Sequence, residues 1–106
     1  MLNAIRNLGR RTISTTELRD MNHEDGKTIF VDVREQSEWD EGHIAWFRHI
    51  PLSQVKEHLN EFLAFEKVVF ICKSGGRSGQ ACDMCRDAGI PTAYNVVGGM
   101  DAWTSG

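Results

Sequence analysis

This chain of 106 residues reads as an α/β fold, a central, mostly parallel sheet with helices on both faces. Short runs rich in β-branched and aromatic residues alternate with capped or amphipathic segments, which is the order that βα units produce. The strongest runs are apolar at every position, as strands buried on both faces are. A composition of 41% hydrophobic and 25% charged residues fits a globular protein of one domain and excludes collagen-like, disordered and long coiled-coil classes.

Residues 1–10 read as a frayed lead-in. Ser14-Thr15-Thr16-Glu17 has the pattern of a capping box, in which the Ser14 hydroxyl and the Glu17 carboxylate each take a backbone amide. Ile13 and Leu18 sit where a hydrophobic staple places them, so a helix is predicted through Met21 toward His23–Gly26. Thr28 to Val33 follows as a buried strand. The acidic stretch Glu35 to Glu41 stops at Gly42, which suits a short helix with a glycine cap. Ala45 to Ile50 reads as a short strand ended by Pro51. Ser53 is placed as the cap of a helix whose Val55, Leu59, Phe62 and Leu63 form an apolar stripe. Val68 to Ile71 is the most apolar run and is assigned to the sheet centre. A helix from Ser78 to Ala88, a strand from Tyr94 to Val97 and a turn or two of helix from Met100 complete the order.

The net charge of −3 is not that of a protein that coats nucleic acid. No apolar run approaches the roughly 18 residues of a membrane span, and the first residues lack the apolar core of a secretion signal. A cytoplasmic protein with neither nucleic acid nor membrane as partner is expected. Three cysteines, an odd number, do not make a disulfide framework.

In an open α/β sheet, sites lie beyond the carboxyl ends of the strands. After the central strand stands Cys72-Lys73-Ser74-Gly75-Gly76-Arg77-Ser78. Sulfur chemistry needs a thiolate, and three features here favour one. A helix is predicted to begin behind Cys72, and its first amides attract negative charge. Gly75 and Gly76 allow the backbone to turn successive N–H groups inward as an anion nest. Lys73 and Arg77 add positive charge, with no acid between Lys67 and Cys82. A lowered pKa is therefore expected for Cys72. This reading requires carbonyls that face away from the sulfur and a sulfhydryl open to solvent.

These residues resemble the six-residue active-site loop of the rhodanese (thiosulfate sulfurtransferase) family. Asp32-Val33-Arg34, Glu38-Trp39, Gly42-His43-Ile44 with Ile50-Pro51, and Gly98-Gly99-Met100 with Ala102-Trp103 resemble further motifs of that family in the same order. The likeness runs from about Ile13 to Trp103, in one copy, unlike the tandem form. It implies a three-layer rhodanese-like domain with a five-stranded sheet. It also implies a catalytic Cys72 and a cradle of Lys73, Ser74, Gly75, Gly76, Arg77 and Ser78 for the transferred sulfur. Thiosulfate or another persulfide donor would load Cys72. A thiophile such as cyanide, or a thiol or dithiol of a small molecule or protein, would unload it, with no metal and no organic cofactor. Two alternatives are a persulfide carrier and a partner-binding module without thiosulfate turnover. Phosphatases and arsenate reductases of related fold use five residues between cysteine and arginine. Here four separate Cys72 from Arg77, which makes that chemistry the lesser alternative.

Other residues have plainer readings. Asp32 and Arg34 are expected to support the loop, with Arg34 paired to Glu38. His43 reads as structural rather than as a base, and His23, His49 and His58 as surface residues. Cys82 and Cys85 could be a zinc half-site, a disulfide or a resolving thiol. Their place on the inner face of a helix favours packing. Trp39 and Trp103 read as core aromatics. Trp46 and Phe47 replace a small Gly-Ala pair of the family, which makes Trp46 either an exposed contact for an acceptor protein or a displaced packing residue.

Overall fold

The computed structural model describes residues 11–105, so the expected lead-in over residues 1–10 lies outside them. Five parallel strands form one sheet: β1 (Thr12–Ile13), β2 (Thr28–Asp32), β3 (Arg48–His49), β4 (Lys67–Ile71) and β5 (Ala93–Val96). Their spatial order is β1-β5-β4-β2-β3, which puts β4 in the middle, as its unbroken apolar run predicts. Between and after them lie α1 (Thr15–Asp20), α2 (Gln36–Asp40), a 3₁₀ helix (Leu52–His58), α3 (Leu59–Phe62), α4 (Gly76–Asp87) and α5 (Gly99–Ser105). Among the described residues no helix is long and apolar enough to cross a membrane.

The strand period of two divides the core. Ile29 and Val31 of β2, with Val68, Phe70 and then Cys72 along β4, join one cluster, which Ala81, Cys82 and Cys85 of α4 and Val55 and Phe62 cover. Phe30, Val69 and Ile71 point the other way, to Leu18 of α1, Ile44, Phe47 and Met100 of α5. Helices thus cover both faces.

Local chemistry places most elements. The Ser14 capping box is present, with the Ser14 side chain accepting from the Glu17 amide at 3.0 Å and Glu17 accepting from the Ser14 amide at 2.9 Å. Several expectations need correction. Helix α1 ends at Asp20, short of His23, because Met21 turns to extended backbone. The strand expected over Ala45 to Ile50 shrinks to Arg48–His49, since residues 44–47 make a turn closed by the Phe47 amide on the Ile44 carbonyl. Pro51, not Ser53, caps the next helix, which opens as a 3₁₀ turn. Its tighter period breaks the expected stripe, so Val55 and Phe62 are buried while Leu63 is 63% exposed. Strand β1 was not legible as a strand, because two residues carry no period.

The end of β4 is held from the side. Gly99 opens α5 with φ +56, and the next two amides donate to the loop: Met100 N–H to the Cys72 carbonyl at 2.8 Å and Asp101 N–H to the Lys73 carbonyl at 3.0 Å. A Cβ on Gly99 would lie 2.4 Å from the Cys72 carbonyl oxygen and 2.6 Å from that of Lys73. Gly99→Ala is expected to cost about 2–4 kcal/mol, the sum of a disfavoured left-handed backbone conformation and this collision. Gly76→Ala, with nothing within 4 Å of its Cβ, is expected to stay near the parent. Urea unfolding of the two variants beside the parent checks the contrast.

Candidate active site

Strand β4 delivers Cys72 to the carboxyl edge of the sheet, and the chain turns at once into α4. Gly75 is the N-cap of α4, at φ 112, a conformation that side-chain-bearing residues avoid. With the Cys72 and Lys73 carbonyls taken outward by α5, the loop turns its N–H groups in. The Gly75 amide donates to Cys72 Sγ at 3.1 Å, and the Ser78 hydroxyl lies 3.2 Å from the same sulfur. Burial pushes the Cys72 thiol up. The Ser78 hydroxyl, followed by the amides of Ser78, Gly75 and Ser74, outweighs that and holds it below its ordinary value. The expected direction is thus found.

The expected cause is different. Lys73 Nζ is bonded to Asp101 Oδ1 at 3.0 Å, and Arg77 makes a two-pronged pair with Glu38, at 2.6 and 2.9 Å. The cations next to Cys72 in sequence are therefore neutralised by acids that α5 and α2 bring in. Arg77 is raised chiefly by Glu38, and the Cys72 charge is only a lesser cause. Oriented dipoles, more than free cations, stabilise the sulfur anion.

The expectation of an open sulfhydryl also needs correction. Cys72 is 1% exposed, because Sγ points back from the strand end into the cluster shared with α4. Lys73, Ser74 and Gly76 are exposed and Gly75 and Arg77 half-buried, so the loop forms the outer wall. Beside it opens a cleft of about 550 Å³, lined by Arg34, Glu38, His43, Lys73, Asp101 and Trp103 among others.

Asp32 and Arg34, expected to support the loop, pair with each other, and beyond that pair Arg34 reaches Gly42 and His49 rather than residues 72–78. Arg34 Nε lies 3.0 and 3.1 Å from the two Asp32 oxygens and Nη2 lies 2.9 Å from Oδ2, while Nη2 also donates to the Gly42 carbonyl at 2.8 Å. Arg34 is therefore not the partner of Glu38. The fully buried Asp32 carboxylate requires a cation of its own, and Glu38 is left to Arg77. His43 stacks on Trp39, with ring centroids 3.5 Å apart and Nδ1 2.9 Å from the Trp39 carbonyl oxygen, a structural arrangement. His23 is exposed, but His49 and His58 are half-buried, His49 through a 2.7 Å bond between Nε2 and the Arg34 carbonyl.

Cys82 and Cys85 are buried in the core, and burial pushes the Cys85 thiol up to about 11. None of the three cysteines is disulfide-bonded. Phe47 is buried against Phe30, and Trp46 is half-buried, stacked on His23 at 4.2 Å and in a T-shaped contact with Trp103. Trp46 is thus a packing residue rather than an open contact, although its buried Nε1 has no hydrogen-bond partner. Three functional neighbours escaped the sequence reading: Glu38 and Asp101 as the acids on the loop, and Asn95 beneath it. Asn95 left a signal as a lone amide in an otherwise apolar strand, and Glu38, part of a recognised motif, pairs with a different arginine from the one expected.

Residues 14–106 match the family model described as Rhodanese-like domain. The uncharacterized protein YqhL of Bacillus subtilis is 40% identical over 77 residues, which span 73% of this chain and 61% of YqhL, less than two thirds of that relative's length. The Bacillus subtilis protein named "Putative sulfurtransferase YtwF" is 37% identical over 93 residues, covering 88% of this chain and 89% of YtwF. Among solved structures, SSP1007 of Staphylococcus saprophyticus superposes with a TM-score of 0.77 at 35% identity, covering 88% of this chain and 92% of that one.

The Glu38–Arg77 pair sets a pH dependence. Glu38 is lowered from 4.5 to about 2, the hydrogen bond from Arg77 being the largest cause. The unfolded chain holds this proton more tightly, so the contribution is complete above pH 4.5 and is lost as pH falls toward 2. Glu38→Gln is expected to be less stable than the parent at pH 6, with the gap closing between pH 4.5 and 2. Thermal unfolding across that range checks it.

Proposed function

The chain belongs to the rhodanese-like domain family, and on that premise we propose that it moves a sulfane sulfur through a persulfide on Cys72. The observation that carries this reading is the set of donors aimed at one sulfur: the Gly75 amide, the Ser78 hydroxyl, and the amides of Ser74 and Ser78. Such a cup stabilises a thiolate before attack, and its amides stabilise the terminal sulfur anion after it.

The Cys72 thiolate attacks the outer sulfur of thiosulfate. A new S–S bond forms on Cys72, the S–S bond of thiosulfate breaks, and sulfite leaves with the bonding pair. Cyanide, or the thiolate of a small molecule or protein, then attacks the outer sulfur of the persulfide. Thiocyanate or a new persulfide departs, and the Cys72 thiolate returns. Each step is a two-electron displacement, balanced in atoms and charge without a cofactor. Because Sγ is covered at rest, a donor can reach it only through a transient opening between the sulfur and the cleft. A cytoplasmic setting, with abundant thiols as acceptors, suits this chemistry.

One observation favours a second reading, a persulfide carrier loaded by a protein donor. Lys73 and Arg77 are both ion-paired, which leaves little unspent positive charge to draw in a dianion such as thiosulfate.

Cys72→Ser is expected to lower thiocyanate formation from thiosulfate and cyanide by about a thousandfold or more. Mass spectrometry of the parent after thiosulfate is expected to find one added sulfur on Cys72 and none on Cys82 or Cys85. Loading by a desulfurase without thiosulfate turnover would establish the carrier. A Cys72 that accepts sulfur from neither donor and resists iodoacetamide overturns both readings.

A further inference from the structure

The hydroxyl of Ser78 has two claimants. Its oxygen lies 3.2 Å from Cys72 Sγ and 2.5 Å from Asn95 Oδ1, yet it carries a single proton. The Asn95 amide cannot turn over to resolve the conflict. Its Nδ2 donates to the Gly75 carbonyl at 3.0 Å, and a flip would set two acceptor oxygens against each other there. Asn95 is itself fixed on β5, paired with Phe70 of β4, its backbone N–H donating to the Arg11 carbonyl at 2.9 Å.

We propose that Asn95 is a positioning residue for the reacting sulfur: its Oδ1 competes with Cys72 Sγ for the one proton of the Ser78 hydroxyl. When Cys72 is a thiol, the Ser78 hydroxyl points to Asn95. When the sulfur is an anion, the hydroxyl turns to it and leaves Oδ1 without that proton. When Sγ bears a second sulfur the charge moves to that outer atom, Sγ itself is neutral, and the hydroxyl returns to Asn95. The amide thus restrains the thiolate and gives the hydroxyl a resting place during each transfer. The charged groups around the loop are already paired: Arg77 of α4 with Glu38 of α2, Lys73 with Asp101 of α5, and Asp32 of β2 with Arg34. None of them contacts the Ser78 hydroxyl in a hydrogen bond seen among the described residues.

The inference rests on Cys72 as the reacting sulfur, but its test reads the thiol itself and needs no sulfur transfer. The rate of Cys72 alkylation by iodoacetamide is followed against pH in the parent, Asn95→Ala, Ser78→Ala and the double variant. The pH profile separates ionisation from packing, which would change the rate at every pH alike. Freed of its competitor, the hydroxyl goes to the sulfur, so Asn95→Ala is expected to shift the profile to lower pH. Alkylation at pH 6 then rises about three- to tenfold. Ser78→Ala is expected to shift the profile upward, and in that background the Asn95 substitution to have no further effect. Asn95→Asp gives a second reading should the alanine variant unfold: it keeps the acceptor, adds a charge and is expected to shift the profile upward, more with Ser78 present than without. An unmoved profile in Asn95→Ala, or an equal shift with and without Ser78, overturns the proposal. Failure of thiocyanate formation with the expected profiles intact would instead count against the sulfur-transfer reading alone.

Discussion

The loop that carries the sulfur is anchored by two backbone hydrogen bonds that are not made to it. The Met100 and Asp101 amides take the Cys72 and Lys73 carbonyls, and so decide which way the peptide planes between β4 and α4 face. A peptide plane that turns its oxygen outward turns the next N–H inward. The inward Ser74 N–H is thus a consequence of where α5 begins, nearly thirty residues further along the chain, while the left-handed backbone at Gly75 and the first turn of α4 bring the Gly75 N–H and the Ser78 hydroxyl to the sulfur. Gly99 is the residue that lets the two backbones meet, since any side chain there would occupy the space of the carbonyl oxygens. The paired glycines before Ala102 and Trp103 are part of the site although they touch no reacting atom.

The electrostatics follow the same economy. Fixed dipoles lie close to the sulfur and lose little to solvent screening, whereas exposed side-chain cations would be screened. Lys73 and Asp101 are both largely exposed, and their pair ties α5 to the loop more than it charges the site. Arg77 and Glu38, less exposed, bind α4 to α2 across the cleft mouth. The cations conspicuous in the loop sequence therefore act mainly as fasteners, and the sulfur is held by the Ser78 hydroxyl together with the loop's own amides.

The sequence made the central features legible where the chemistry is local. Ser14 with Glu17, the apolar run Val68 to Ile71, and a cysteine followed by two glycines each announce their structure within a few residues. What stayed hidden depends on distance in the chain. Glu38 and Asp101 neutralise Arg77 and Lys73 across separations no motif records, and Arg34 finds Asp32 rather than Glu38 because burial decides the pairing. The cover over Cys72 was illegible for a related reason. Alternation along β4 gives the face on which Sγ lies, but not how closely α4 and the loop close over it. Leu63 shows the limit of periodicity, since a 3₁₀ turn ahead of it shifts the face it should have shared.

The outermost strands have a consequence of their own. β1 and β3 are two residues each, and they form the two borders of the sheet. Most of the ladder is consumed internally among β2, β4 and β5. Among the described residues a second copy of the chain would find only a stub at either border on which to add a strand, which leaves little template for lateral growth.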